Sequence, residues 1–126
     1  MKVLKKLFLF SFVFFFISAV SFAKEIGSLD GVVINTYTDY VTPELAKYTR
    51  SNYIMNLKPT PEKIIVKHRM IDRNSQDVSD WRWTKGGERE SLPNRAEPNY
   101  KYRLRMVRSG VVPGTETIFG SWSPDE

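Results

Sequence analysis

The sequence predicts a small all-β protein, an antiparallel β-sandwich of about seven strands with one short helix over residues 43–50. Two observations carry this prediction. Short segments rich in β-branched and aromatic residues recur after residue 28, and proline, glycine and asparagine separate them. In the clearest segment, 99–110, apolar and basic residues alternate, as they do in a strand with one buried face.

The N-terminal residues 1–23 have the pattern of a secretory signal peptide. Three lysines precede an apolar run from Leu7 to Ala23, and Ser21 and Ala23 supply the small residues at positions −3 and −1. We expect cleavage after Ala23, which leaves residues 24–126 as one exported domain, and the style of the signal is typical of bacteria. An uncleaved membrane anchor is the alternative, because the run is near the minimum length of a span.

Loss of the signal changes the composition on which a function can be argued. It removes three of the 19 basic residues and none of the 14 acidic ones, so the net charge falls from +5 to +2. There is no cysteine, which excludes disulfides and thiolate chemistry. The hydrophobic core alone must therefore hold the domain together.

The first elements of the mature chain are predicted from local patterns. Residues 29–38 are rich in β-branched side chains and indicate a strand. Thr42 and Pro43 fit the cap and the first position of a helix, so 43–50 is predicted to be helical. Residues 52–58 and 63–71 alternate as strands.

The alternation also predicts which residues face the core. His68 falls on the core face of segment 63–71, with Ile64, Val66 and Met70. The eight residues that we expect to form the core are Tyr53, Met55, Leu57, Ile64, Val66, Tyr102, Leu104 and Met106.

Two glycine turns are predicted to close hairpins in the second half. Gly86 and Gly87 can provide the backbone angles of a two-residue turn within 81–92, which places Trp81 opposite Leu92. A turn at 113–114 would join segment 99–109 to the last strand, 115–122. Counting outward from that turn places Trp122 opposite Arg105.

The number of short strands in about 100 residues favours a β-sandwich of immunoglobulin-like type, with a closed barrel as the alternative. The segment YKYRLRMVRS followed by GSWS resembles the final two strands of fibronectin type III domains, especially those of cytokine receptors. In that family a Trp-Ser element packs its tryptophan against arginines. The resemblance covers about a quarter of the mature chain, with one Trp-Ser unit where the receptors have two, and it implies that Trp122 stacks on Arg103 and Arg105.

A group of cations is the main candidate site. If segment 63–71 lies beside 99–109, five basic side chains share one face of the sheet. Like charges on neighbouring strands repel, so the face needs either a structural role or an anionic ligand. The partners considered are an anionic cell-envelope polymer, a membrane surface or an acidic protein, and the small net charge makes nucleic acid unlikely. The candidate binding residues are Lys67, Arg69, Lys101, Arg103 and Arg105.

No residue pattern identifies a catalytic, metal or cofactor site, and we expect no cofactor. His68 is the sole histidine, and no nucleophile motif accompanies it. The oxygen-rich loop with Asp72, Asn74, Asp77 and Asp80 departs from a calcium-binding pattern.

The sequence therefore favours a secreted protein that binds a partner rather than catalyses a reaction. Its expected action is directed at the cell envelope or is antibacterial, and the basic face makes the contact. One alternative is a small polysaccharide hydrolase that uses Glu88 or Glu90 with Trp81 and Trp83. Another is a membrane-anchored accessory protein that retains the N-terminal segment.

Overall fold

A computed structural model describes residues 23–61, 63–110 and 113–126, and these residues contain eleven strands and no helix. Residues 1–22 of the predicted signal peptide, and residues 111–112 just before the predicted turn at 113–114, lie outside them. The strands are β1 (Gly27–Ser28), β2 (Val32–Asn35), β3 (Tyr40–Val41), β4 (Leu45–Lys47), β5 (Tyr53–Leu57), β6 (Ile65–Asp72), β7 (Arg82–Lys85), β8 (Arg89–Leu92), β9 (Tyr100–Ser109), β10 (Thr115–Ile118) and β11 (Gly120–Ser123).

The strands form two larger sheets and a two-stranded ribbon, and all of the pairs are antiparallel. The first sheet has the order β1-β11-β5-β8, and the ribbon pairs β10 with β2. The second sheet has the order β3-β9-β6-β7, with β4 also paired to β9. β6 and β9 lie side by side over eight residue pairs, which confirms the predicted neighbourhood of segments 63–71 and 99–109.

Both larger sheets contribute residues to one hydrophobic core. All eight predicted core residues are buried, and Leu29, Ile34, Met70, Ile118 and Trp122 join them. The sheets of the described part have open edges, so the closed barrel is wrong, and the arrangement is consistent with a β-sandwich. No helix in these residues has the length and hydropathy needed to cross a membrane.

The strand count exceeds seven for two reasons. β1, β3 and β4 are short strands that the sequence does not predict, and segment 115–122 is interrupted at Phe119. Segment 29–38 contains one strand, β2, which begins after Gly31, where φ is 77°. Directly after the interruption, the Gly120 backbone N donates to the Asp30 carboxylate at 2.9 Å. A Cβ at Gly120 would stand 2.0 Å from the Asn56 carbonyl oxygen, so only glycine fits this close approach of two chains.

The helix predicted over residues 43–50 is wrong, because tertiary pairing overrides the local helix signals. The Thr42 side chain accepts from Leu104 N at 2.9 Å instead of capping a helix. β4 then pairs with β9, and Ala46 N donates to the Glu25 carboxylate at 2.6 Å. β9 and the Glu25 carboxylate thus satisfy backbone groups that a short, marginal helix would have satisfied internally.

The hairpin predicted over 81–92 is also wrong, although its turn exists. Glu88 N donates to Lys85 O at 3.1 Å, but β7 pairs with β6 and β8 pairs with β5. The two turn glycines account for this separation, because Gly86 N donates to Ile64 O and Gly87 N donates to Leu57 O. The chain therefore passes from one sheet to the other at this turn.

Candidate ligand-binding face

The basic side chains of β6 and β9 lie on the face of the second sheet that points away from the core. Val66, Met70 and Leu104 point inward, so by alternation Lys67, Arg69 and Arg105 point outward. We call this side the outer face. The predicted clustering of cations is thus present, and Arg69 stands directly opposite Arg105 in the register.

Three carboxylates neutralise the arginines of the outer face. Their positions in the chain differ: Asp39 precedes β3, Glu44 precedes β4, and Asp77 lies in the loop after β6. The N–O distances are 3.3 Å for Arg105 and Asp39, 3.3 Å for Arg103 and Glu44, and 3.1 Å for Arg69 and Asp77. We call these six residues the arginine sector.

Asp77 explains how two arginines tolerate being cross-strand neighbours. Its second oxygen lies 3.9 Å from Arg105, so one carboxylate stands between Arg69 and Arg105. Such half-exposed ion pairs stabilise by about 1 kcal/mol or less each. The arginine sector therefore offsets its own repulsion and holds three loops against the sheet.

Two tryptophans lie against the remaining cations. The Lys67 ammonium nitrogen is 4.6 Å from the centroid of the Trp81 ring and 5.8 Å from that of Trp83. Arg69 also lies over Trp81, at 4.6 Å. These contacts produce the order Arg69, Trp81, Lys67, Trp83, which runs along β6 and the neighbouring segment 81–83. We call the last three residues the tryptophan–lysine sector.

The alternation of β7 places both tryptophans on this side. Trp83 pairs with Lys67 in the register, while the neighbouring Thr84 points inward and is buried. Trp81 immediately precedes the strand and has the same parity as Trp83. The hydrolase interpretation requires these tryptophans to lie beside Glu88 or Glu90. Glu90, however, pairs with Met55 in the other sheet.

The stacking position predicted for Trp122 is wrong. Trp122 pairs with Gly27 and Met55 in the first sheet and is 1% exposed. Arg105 lies in the second sheet and does not pair with it. The prediction required β9 and the last strand to form a hairpin, whereas β10 pairs with β2. Trp81 is the tryptophan that stacks on an arginine of the outer face, Arg69.

Lys101 lies two residues from Arg103 on the same strand but far from the tryptophan–lysine sector. It is exposed near the start of β9, opposite Ala46, and six residues from the Val107 that faces Lys67. At about 3.3 Å per residue this separation is roughly 20 Å. Lys101 instead borders an open groove of about 720 Å³ together with Arg73, Arg95 and Tyr100.

His68 is a buried core residue that forms hydrogen bonds with both ring nitrogens. Its Nδ1 shares a hydrogen bond with the Tyr53 hydroxyl at 3.0 Å, and its Nε2 shares one with the Thr84 hydroxyl at 2.8 Å. Burial lowers the pKa of His68 to about 4 and raises that of Tyr53 to about 12. The imidazole is therefore neutral near pH 7.

The oxygen-rich loop uses its carboxylates within the protein. One oxygen of Asp72 accepts from the backbone N of Asn74 and of Gln76, and Asp80 forms an ion pair with Arg95 at 3.1 Å. Asp77 belongs to the arginine sector. In the part of the chain that the structure describes, no group of three metal-ligating side chains comes together.

Glu88 and Glu90 are neighbours at the start of β8, and Glu90 pairs with Met55 of β5. Burial, together with the hydrogen bond and the charge of Glu88, raises the pKa of Glu90, and Lys85 opposes this shift. Two close carboxyl groups repel each other when both are ionised, so one favours its protonated form. β8 pairs with β5 of the first sheet, so these carboxyl groups do not belong to the outer face of the second sheet.

The sequence reasoning missed the roles of Asp39 and Glu44. The only signal was the near balance of basic and acidic residues in residues 24–126, which is typical of paired charges but assigns no pair. Comparison with protein-family models, curated proteins and solved structures found no match to this chain.

Proposed function

We propose that this chain is an exported binding protein that recognises an anionic polymer of the cell envelope through the outer face. Residues 1–23 are its signal peptide, and the mature domain spans residues 24–126. The tryptophan–lysine sector makes the contact, and the arginine sector holds it in place.

The observation that carries this proposal is the environment of Lys67. No carboxylate among the described residues pairs with the Lys67 ammonium group, whereas acidic side chains form ion pairs with Arg69, Arg103 and Arg105. Its ammonium group is held beside a tryptophan that is 52% exposed. A cation without a counter-charge next to an exposed aromatic ring favours an anionic ligand.

We also propose that the domain is a variant of the immunoglobulin-like sandwich. The pairing of β6 with β9, and the return of the last strands to the first ones, support this assignment. The location of β9 and β11 in different sheets is the departure from the resemblance noted in the sequence.

Binding measurements on the mature protein test the function. We expect purified wall teichoic acid to bind, with an affinity that falls as NaCl rises from 50 to 300 mM, because ions screen exposed charges. Lys67→Gln should weaken binding severalfold. Arg89→Gln is the matched control, since Arg89 is an exposed cation of β8 on the other sheet.

The outcome decides between the partners that the sequence allowed. Loss of binding in both variants would indicate a response to net charge alone and would contradict a site on the outer face. Binding to phosphatidylglycerol vesicles in preference to teichoic acid would favour a membrane surface. Absence of binding to either at 50 mM NaCl would remove the proposal.

A further inference from the structure

We infer that Trp83 and Lys67 form a subsite for one acidic sugar unit, so that the polymer recognised is an anionic glycan. This inference rests on the proposed function and adds the chemical class of the ligand. It starts from Trp83, the exposed end of the stacked order Arg69, Trp81, Lys67, Trp83.

Trp83 differs from Trp81 in how much of its ring is covered. Trp81 has two cations within 4.6 Å of its centroid, whereas the nearest cation to Trp83 is Lys67 at 5.8 Å. The Trp83 side chain remains 52% exposed on β7, the edge strand of the described sheet. A large aromatic surface is thus left for a ligand.

The register neighbours of Trp83 on this face of the sheet carry no acidic side chain. Trp83 on β7 pairs with Lys67 on β6, which pairs with Val107 on β9. The next set of paired residues on the same face is Lys85, Ile65 and Ser109. Lys85 has the charge of Glu90 nearby, so Lys67 is the better placed cation. Asp39, Glu44 and Asp77 all pair with arginines of the arginine sector instead.

This combination matches the chemistry of an acidic sugar. The C–H groups on one side of a pyranose ring carry partial positive charge and pack on the electron-rich face of an indole, as the edge of another aromatic ring does. A carboxylate, phosphate or sulfate on the same sugar can then reach the Lys67 ammonium group beside the ring. A simple polyanion would need the lysine but not the tryptophan, and a neutral glycan would need the tryptophan but not the lysine.

Single-stranded nucleic acid is the other polymer that combines stacking with charge. Proteins that bind it align several aromatic side chains along a basic groove. The outer face presents one exposed indole, and Lys101 lies roughly 20 Å along β9. One stacking position beside one free lysine favours a single sugar unit.

The test measures binding of the mature protein to four soluble probes. They are an oligogalacturonate, a linear polyphosphate of similar charge, a neutral galactan and a dT20 oligonucleotide. We expect the oligogalacturonate to bind most tightly. Trp83→Ala should weaken its binding about tenfold or more and change polyphosphate binding less than twofold. Tyr100→Ala is the matched control, because it removes an exposed aromatic ring at the far end of β9.

Fluorescence provides a second measurement that does not depend on affinity alone. Trp122 is buried in the core, so its emission should stay constant while that of Trp83 changes as a sugar covers the ring. The ligand-induced change should be lost in Trp83→Phe and kept in Trp122→Phe. Near-UV circular dichroism of each variant verifies that the domain is folded.

The failure of this inference differs from the failure of the proposed function. Equal loss of oligogalacturonate and polyphosphate binding in Trp83→Ala, or binding independent of Trp83, would overturn the sugar subsite and leave anion binding in place. Tighter and Trp83-dependent binding of dT20 would overturn it in favour of nucleic acid. If no anionic probe binds the folded protein, both proposals are wrong.

Discussion

His68 links the two larger sheets inside the core through neutral hydrogen bonds. Tyr53 belongs to β5 of the first sheet, and His68 and Thr84 belong to β6 and β7 of the second. Each hydroxyl pairs with one ring nitrogen, so a buried polar group is satisfied on both sides. A proton added to the ring would place an unpaired charge between the sheets.

The stability of the protein should therefore fall in mild acid because of His68. The pKa of His68 is lowered from 6.5 to about 4 in the folded protein, so the unfolded chain binds a proton first as the pH decreases. Its contribution to the free energy of unfolding is complete above pH 6.5 and is lost between pH 6.5 and 4, a decrease of about 3 kcal/mol. Urea unfolding at several pH values between 7 and 4 measures this slope.

His68→Gln is the variant that isolates the effect. Glutamine keeps a polar group near Thr84 but does not titrate, so its lower stability should depend less on pH over the same interval. Identical slopes in the two proteins would show that groups other than His68 cause the acid sensitivity.

At the scale of the strands, the sequence predicts the faces well and the partners poorly. Alternation in segments 52–58, 63–71 and 99–109 identifies core residues because burial on one face is a local property of a strand. The turn at Gly86 is recognisable for the same reason. Which strands it joins depends on distant acceptors, Ile64 O and Leu57 O, that no local pattern reveals.

Which tryptophan packs against the arginines depends on how the strands pair, and a double-mutant cycle can test it. Arg69 and Trp81 are in contact, so a double-mutant cycle with alanine at both positions should yield a coupling energy of about 0.5 kcal/mol or more. The cycle for Arg105 and Trp122 is the control and should be additive, because these residues lie in different sheets. Chemical denaturation of the four proteins in each cycle provides the values.

The reverse result would restore the original interpretation. A coupling between Arg105 and Trp122 that exceeds the one between Arg69 and Trp81 would mean that the final two strands form the hairpin predicted from the sequence. It would also make the resemblance to fibronectin type III domains more than a local pattern.

For the whole molecule, the candidate site shows how much a charge pattern can predict. The cations of the outer face are visible in the sequence because alternation places them together. Their neutralisation is not visible, since Asp39, Glu44 and Asp77 come from three loops whose positions depend on the complete fold. The distinction between Lys67 and the arginines is therefore a product of tertiary structure.

The two ends of the described chain meet on the segment that contains β4. The Glu25 carboxylate accepts from Ala46 N, and the Asp125 carboxylate accepts from Tyr48 N at 2.8 Å and from Thr49 N at 3.2 Å. Lys47 is fully buried between them. Its ammonium group donates to Ser51 O at 2.7 Å and lies 3.3 Å from Asp125.

Breaking this buried ion pair should destabilise the domain far more than breaking an exposed one does. Burial alone would raise the pKa of Asp125, but hydrogen bonds from Tyr48 and Thr49 and the charge of Lys47 together lower it. Burial lowers the pKa of Lys47, and Asp125 opposes that shift. Removing one partner leaves the other charge buried and unpaired, which costs about 3–5 kcal/mol.

We therefore expect Asp125→Asn to reduce the free energy of unfolding by that amount near pH 7, as measured by urea denaturation. Glu97→Gln is the control, because the Arg50–Glu97 pair is exposed and its loss should cost about 1 kcal/mol or less. The lowered pKa of Asp125 means that its contribution is present above pH 3.8 and is lost as the pH falls through the folded value. The difference between wild type and Asp125→Asn should shrink in that acidic range. A difference below 1 kcal/mol at pH 7 would mean that Lys47 is not held in the core and that the chain ends do not contribute to the stability of the fold.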